Sequence, residues 1–260
     1  MKIDASEGSN PKRENMFLNL GLNLLLPILV LRKGDEWLGE PLADALSSTP
    51  DSAVVGSVVL LLAISFPISY GILDLIRRRK WNFFSIIGAI SALLTGGIGL
   101  LPGANVMMFA IKESALPAIL GIITIITLKT KKPLVRLFLY NPEIIKVSLV
   151  DQRLGELGTK DSFDKLLVKC TWLIGLSFAV SAVLNFILSR MIVVTEPSID
   201  KIAFNDEVGQ MMGWSLPVIS IPCMVVSGYA FWLLMKGIKQ FTGLSMEEVL
   251  AQAPQPKRGS

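Results

Sequence analysis

Histidine is absent from this 260-residue sequence, and cysteine occurs only twice. The chain therefore lacks the side chain most often used as a general base near neutral pH and as a metal ligand. Two cysteines alone cannot complete a four-ligand zinc site. Neither a Gly-x-Ser-x-Gly elbow nor a phosphate-binding Gly-rich loop before Lys-Ser/Thr is present. We therefore predict a protein that is not an enzyme and that holds no metal and no cofactor.

The two cysteines are expected at different depths. Cys170 falls near the inner end of one apolar segment and Cys223 near the middle of another. We expect them to remain unpaired, as small apolar filler.

Charge is also scarce. Only 18% of the residues are charged, against about 25% in soluble domains, while 52% are hydrophobic and the mean hydropathy is +0.57. The apolar residues are gathered into runs near the length of roughly 20 residues that a spanning helix needs. This pattern predicts an all-α, polytopic integral membrane protein. The net charge of +4 does not indicate nucleic-acid binding, because the basic residues lie in short loops beside the apolar runs.

Six apolar segments predict six transmembrane helices, of which the first is short. They run about 16–31, 53–76, 81–101, 104–128, 166–193 and 213–238, within a membrane domain of residues 16–240. Residues 1–15 form a polar tail without a signal-peptide core, and residues 129–165 form a long inner loop. Residues 241–260 predict a short surface helix and a disordered tail, with Ser245 and Glu248 in the spacing of a capping box.

The basic residues predict the orientation. With the N-terminus inside, the inner segments hold 20 Lys and Arg residues and the outer segments hold four. This asymmetry predicts that both termini lie in the cytoplasm. The outer loops are acidic, and the basic inner loop is expected to lie on anionic lipid headgroups.

Lys112 and Glu113 are the most informative polar residues, because both lie inside the fourth segment, where charge is costly. Thr95 and Asn185 are predicted at a similar depth. The four side chains form either a functional polar cluster or hydrogen-bonded contacts between helices. Lys112 has a further alternative, since its long side chain can reach the outer surface.

Three other polar residues are secondary candidates. Asp74 lies beside basic residues at the inner end of the second segment, where local charge balance is the simpler interpretation. Asn19 and Asn23 share one face of the short first segment and are expected to face other helices, since an amide in lipid lacks partners.

Several strings resemble the bacterial intracellular septation protein A-like inner-membrane family, and more closely a poorly characterised six-helix branch beside it. They are Leu75-Ile-Arg-Arg-Arg-Lys-Trp-Asn82, Phe109-Ala-Ile-Lys-Glu-Ser-Ala-Leu-Pro117, Lys131-Lys-Pro-Leu-Val-Arg136 and Gly213-Trp-Ser-Leu-Pro217, together with Trp172, Asn185 and Phe204-Asn205. The resemblance covers residues 16–240. The septation A proteins usually look like five-helix proteins, so the short first segment departs from that pattern. The resemblance implies an envelope role linked to cell division and elongation, and supplies no catalytic residues.

Two functions follow as hypotheses. The first is a non-enzymatic inner-membrane protein of the cell envelope, with division or elongation proteins and anionic lipids as partners. The second is a small-solute or lipid transporter with its polar site around Lys112 and Glu113, favoured by proline-broken helices. Nucleic acid is not expected as a partner, and a homo-oligomer stays open.

Overall fold

The fold is helical in a computed structural model that describes residues 21–78, 83–129, 136, 139–142 and 144–250. Of these residues 84% are helical, and none of them forms a β-strand. The all-α prediction is therefore confirmed. The predicted N-terminal tail, the start of the first segment and the tail after residue 250 lie outside the described residues.

The described chain forms nine α-helices and three shorter helical turns of tighter or wider winding. They are α1 (Leu26–Leu46), α2 (Ala53–Arg78), α3 (Phe83–Leu100), α4 (Val106–Ile126), α5 (Val147–Glu156), α6 (Lys160–Ile192), α7 (Lys201–Ser215), α8 (Ile221–Thr242) and α9 (Met246–Val249). A π-helical turn at Gly21–Leu25 leads into α1, a second at Leu216–Ser220 joins α7 to α8, and a 3-10 turn at Thr127–Lys129 extends α4.

These helices belong to two compact units. The first unit comprises Met1–Lys112 and Leu188–Trp214, and the second comprises Glu113–Ile187 and Ser215–Ser260. Each unit is described below by itself.

Among the described residues, four helical segments are long and apolar enough to cross a membrane: Ala53–Leu73, Val106–Lys129, Lys160–Ile192 and Lys201–Thr242. Only 22–28% of the residues in their most apolar windows are buried. Helices this apolar that expose most of their side chains need a lipid environment, because a soluble protein would bury them. The structure thus supports a membrane protein.

Polar ends make three helices differ from the predicted apolar segments. α1 continues to Leu46, past the predicted end at residue 31, and carries its charges on its exposed side. α6 begins at Lys160 rather than 166, and helix precedes the predicted sixth segment from Lys201 onward. An apolar window detects only the lipid-compatible part of a helix, so polar turns at either end are missed.

Close helix approach in the first unit depends on glycine. Gly96 and Gly99 of α3 lie against Ile64 and Leu60 of α2, where a Cβ atom would overlap either side chain. Gly34 of α1 lies against α2 in the same way. Small residues at such positions allow helices to approach closely in membrane proteins.

An antiparallel helix pair, α6 with α8, forms the second unit. Hydrogen bonds at three levels fix its register: Thr159 Oγ1 to the Phe241 carbonyl (2.8 Å), Cys170 Sγ to the Ala230 carbonyl (3.6 Å) and Ser177 Oγ to the Cys223 carbonyl (3.1 Å). Both cysteines are free thiols, bonded at different levels of this pair.

The described part of the predicted inner loop packs on one end of this pair. Tyr140, Ile145, Val150 and Leu154 are buried with Phe163 of α6 and with residues of α8 and α9. We call this arrangement of residues 139–142, 144–163 and 234–250 the cap. Its apolar residues complete a core shared with the helices. The predicted position of this loop on anionic lipid headgroups stays a prediction.

The end of the cap is held by α9. Ser245 Oγ accepts from the Glu248 N–H while the Glu248 carboxylate accepts from the Ser245 N–H, which confirms the predicted capping box. Ile145 pairs with Leu250 in an isolated antiparallel bridge, and the Lys146 N–H donates to the Val249 carbonyl at 2.8 Å. Val249 is fully buried, so the predicted surface helix is partly a core element.

Candidate functional site

Lys112 and Thr95, two of the four predicted cluster residues, are in contact. The Lys112 ammonium donates to Thr95 Oγ1 at 2.5 Å, and Thr95 Oγ1 donates to the Ser91 carbonyl at 3.0 Å. The Thr95 hydroxyl thus donates its hydrogen to a carbonyl of its own helix and accepts a hydrogen from the Lys112 ammonium. Lys112 also lies 5.1 Å from the ring centroid of Phe109 one turn earlier, a cation–π distance.

Glu113 and Asn185 belong to the second unit. Asn185 Nδ2 donates to the Ser181 carbonyl at 2.8 Å and lies 3.2 Å from Ser181 Oγ, so this amide bonds within its own helix. Glu113 is half-buried in α4. Pro117 has no N–H to give to the Glu113 carbonyl, four residues earlier. A cluster of all four side chains stays a prediction.

Of the secondary candidates, only Asn23 is described, in the π-helical turn before α1. Asn19 and the side chain of Asp74 lie outside the described residues. The predicted shared face of Asn19 and Asn23 therefore stays a prediction.

Helix α7 carries polar residues that the apolar pattern missed. Asp200 starts the helix, since its Oδ1 accepts from the N–H groups of Ile202 (3.0 Å) and Ala203 (2.9 Å). Phe204, Val208 and Met211 form its buried face at helical spacing. Most of this interval was predicted as part of an acidic outer loop, because Asp206 and Glu207 interrupt the short apolar stripe.

Lys201 and Asn205 lie one turn apart on α7, and each reaches the backbone of a different helix. Lys201 Nζ donates to the Gly99 carbonyl in the last turn of α3. Such carbonyls lack partners within their own helix and carry the negative end of the helix dipole, which favours an ammonium group. Asn205 Nδ2 donates to the Gly56 carbonyl of α2 at 2.8 Å.

An aromatic contact lies beside these polar groups. Phe109 of α4 and Phe204 of α7, both fully buried, meet edge to face with ring centroids 5.7 Å apart. Lys112 lies over the Phe109 ring, and Phe204 directly precedes Asn205. We call Thr95, Lys112, Lys201 and Asn205 the polar layer of the first unit.

The acidic residues of α7 are engaged as well. Glu207 accepts from the N–H groups of Val194 (2.9 Å) and Thr195 (2.8 Å) and from Thr195 Oγ1 (2.7 Å), which anchors the preceding loop. Asp206 pairs with Arg32 of α1 at 3.3 Å. These carboxylates therefore stabilise helix contacts. The sequence signal that would have revealed α7 is the helical spacing of its buried apolar residues, Phe204, Val208 and Met211.

The cap holds the main polar cluster of the second unit. The Tyr140 hydroxyl donates to Asp151 Oδ1 at 2.9 Å, and the ring packs 5.3 Å from Phe163. Arg136 lies over the Tyr140 ring at 5.3 Å and 3.7 Å from Asp164. Burial, followed by the hydrogen bond to Asp151, raises the pKa of Tyr140 well above its ordinary value. Tyr140 therefore stays neutral and serves as a hydrogen-bond donor.

The described residues contain no group of three His, Cys, Asp or Glu side chains placed to bind a metal ion. In the first unit, two lysine ammonium groups and one asparagine amide donate hydrogen bonds to a hydroxyl and to backbone carbonyls. The chemistry available to such a set is hydrogen bonding and charge recognition.

Comparisons with known proteins identify no family for this chain: no family model, no curated protein and no solved structure matches it.

Proposed function

We propose that the chain is a multi-pass protein of a bacterial inner membrane with six spans and both termini in the cytoplasm. The 20-to-4 distribution of basic residues supports this topology. Exposed tryptophans at Trp172 and Trp232 support a membrane interface at this level, since they lie near Lys169 and Lys236 toward the cap end of α6 and α8. Lys236 lies 5.1 Å from the Trp232 ring, and aromatic residues of this kind concentrate at membrane interfaces.

Single-cysteine labelling tests this topology. In a background without Cys170 and Cys223, a cysteine at exposed Ser198 should react with an impermeant maleimide on intact spheroplasts. A cysteine at exposed Ser148, on α5 of the cap, should react only after the membrane is opened. The reverse pattern at both positions would make the proposed orientation wrong.

The function we propose is a non-enzymatic one, in which the protein binds envelope or division proteins at the membrane. The supporting observation is that charged groups inside the first unit contact that unit's own backbone or hydroxyl groups: Lys201 at Gly99, Lys112 at Thr95 and Glu207 at residues 194 and 195. Groups used in this way rigidify a bundle. The envelope role itself comes from the septation A-like resemblance.

The cap supplies the surface for partners and for anionic lipid. It is folded on a shared core, carries Lys146, Arg153 and Lys160 among charges of both signs, and exposes Leu157 to 56%. Basic residues beside a membrane span attract anionic headgroups. An ordered surface also gives a partner protein a fixed shape to bind.

Cell length in a deletion strain of the source bacterium tests this function. Complementation by Leu157→Asp should be impaired, while Ile199→Asp, the same change at a residue 79% exposed in the loop before α7, should restore normal length. Lys112→Met should also complement if it accumulates normally. Normal length with Leu157→Asp would contradict partner binding at the cap.

Transport is the second candidate, favoured by the broken helices. Pro67 and Pro117 lie inside α2 and α4. A π-helical turn that contains Pro217 separates α7 from α8, and Pro222 follows in the first turn of α8. Irregular helices often line the binding sites of transporters. Under this function Lys112→Met and Glu113→Gln would both abolish complementation at normal protein level, while Leu157→Asp would not.

A further inference from the structure

Asn205 carries a buried amide whose nitrogen is hydrogen-bonded and whose oxygen has no partner among the described residues. The residue is 1% exposed, and its Nδ2 donates to the Gly56 carbonyl at 2.8 Å. Within the described part of the chain, no donor lies within hydrogen-bonding distance of its Oδ1. Buried acceptors in folded proteins nearly always receive a hydrogen bond, so this oxygen points to a bound group.

The orientation of the amide follows from its neighbour. Rotating it by half a turn would place the Asn205 oxygen against the Gly56 carbonyl oxygen, and two acceptors repel each other. The nitrogen therefore faces Gly56, and the oxygen needs a different donor.

Lys201 lies four positions earlier on the same face of α7. Its ammonium has three N–H donors, and one is engaged by the Gly99 carbonyl. The face therefore offers cationic donors from Lys201 and a neutral acceptor from Asn205, with the buried ring of Phe204 beside them.

This combination selects the chemistry of the ligand. A metal cation is disfavoured by the Lys201 charge, and a carboxylate or the phosphodiester of a lipid headgroup has no hydrogen to give to Asn205 Oδ1. A hydroxyl group accepts from an ammonium and donates to an amide oxygen at the same time. We propose that Lys201 and Asn205 form a hydroxyl-binding site in the first unit, filled by water or by the hydroxyl of a lipid headgroup.

High-resolution cryo-electron microscopy in nanodiscs tests the site and separates the two sources. The wild-type protein is imaged in pure phosphatidylcholine, whose headgroup has no hydroxyl, and in phosphatidylglycerol, whose headgroup has two. Density about 2.6–3.2 Å from Asn205 Oδ1 in both lipids identifies water. Density only in phosphatidylglycerol, continuous with a lipid, identifies the headgroup. Its absence from both maps overturns the proposal.

The Lys201→Met variant tests the part played by the ammonium. The density should disappear while the bond from Asn205 to Gly56 remains visible; unchanged density would overturn the assignment to Lys201. Asn205→Leu adds a measurement on the purified protein, a lowered melting temperature. Asn185→Leu, which removes an amide bonded within its own helix, is the control and should melt closer to wild type. An Asn205→Leu protein as stable as wild type in both lipids would contradict the site. These readouts do not depend on the cellular role proposed above.

Discussion

Ser177 and Cys223 each donate a hydrogen bond to the other's backbone. Ser177 Oγ lies 3.1 Å from the Cys223 carbonyl, and Cys223 Sγ lies 3.5 Å from the Ser177 carbonyl. Ser227 Oγ, one turn further along α8, lies 3.1 Å from the same serine hydroxyl. Three small polar side chains thus join α6 to α8 at one level.

We predict that removing this exchange weakens the helix pair. Ser177→Ala should lower the free energy of unfolding by about 0.5–1.5 kcal/mol, and Cys223→Ala by less, because a thiol is a weak donor. The double variant should cost less than the sum, since the two bonds share one contact. Steric trapping in bicelles measures all three, with Ser65→Ala as control because that hydroxyl bonds only its own helix. Full additivity would contradict the coupling.

A second prediction concerns the Lys112–Thr95 bond. Thr95→Val should destabilise the protein more than Thr124→Val, although each hydroxyl also bonds the carbonyl four residues earlier in its own helix. The difference is the bond from a charged donor, worth about 1.5–3 kcal/mol. In a Lys112→Met background the two substitutions should cost the same. Equal costs in the wild-type background would contradict this contact.

A third prediction uses two glycines on α7. At Gly209 an added Cβ would lie 2.6 Å from Arg32 Cγ and 3.1 Å from Leu31 Cβ of α1, whereas at Gly213 nothing lies within 4 Å. Gly209→Ala should therefore cost about 1–3 kcal/mol through overpacking. Gly213→Ala should be neutral or stabilise by up to about 1 kcal/mol, because alanine favours helix. Thermal unfolding of both variants checks the pair, and a loss confined to Gly213→Ala would contradict the close approach of α7 to α1.

A fourth prediction concerns pH. The hydrogen bond from the Ser245 backbone lowers the pKa of Glu248. A carboxyl whose pKa is lower in the folded state stabilises it above the unfolded pKa, and this contribution disappears as pH falls through the folded pKa. The protection factors of the Val249 and Leu250 amides in hydrogen exchange should therefore fall as the pH drops below about 4.5. Glu248→Gln should remove most of this pH dependence, while Glu247→Gln, outside the capping box, should preserve it.

The apolar runs predicted the interior of the spanning helices well. The segment predicted at 104–128 corresponds to α4 with its 3-10 turn, and the one predicted at 53–76 corresponds to α2, because their apolar stretches fill almost the whole helix. The start of α6 at Lys160 was not predictable from hydropathy, since its first turns are polar and face water. The capping box at Ser245 was predictable, because it depends only on local sequence.

The candidate site was predicted in part. Lys112 and Thr95 were expected together from their depths in adjacent segments, and a hairpin between α3 and α4 brings them into contact. Lys201 and Asn205 were missed because their partners are backbone carbonyls of Gly99 and Gly56, about 100 and 150 positions away in the chain. Every residue has a backbone carbonyl, so the sequence does not indicate which carbonyl a side chain will contact, and such pairings are visible only in the folded chain.

The bridge between Ile145 and Leu250 can form only after residue 250 has been synthesised. α5 and the start of α6 leave the ribosome about 90 residues before α9. Until residue 250 has followed, Ile145 lacks its bridge partner. A nascent chain of this protein therefore leaves part of the apolar surface of the cap uncovered until late in translation.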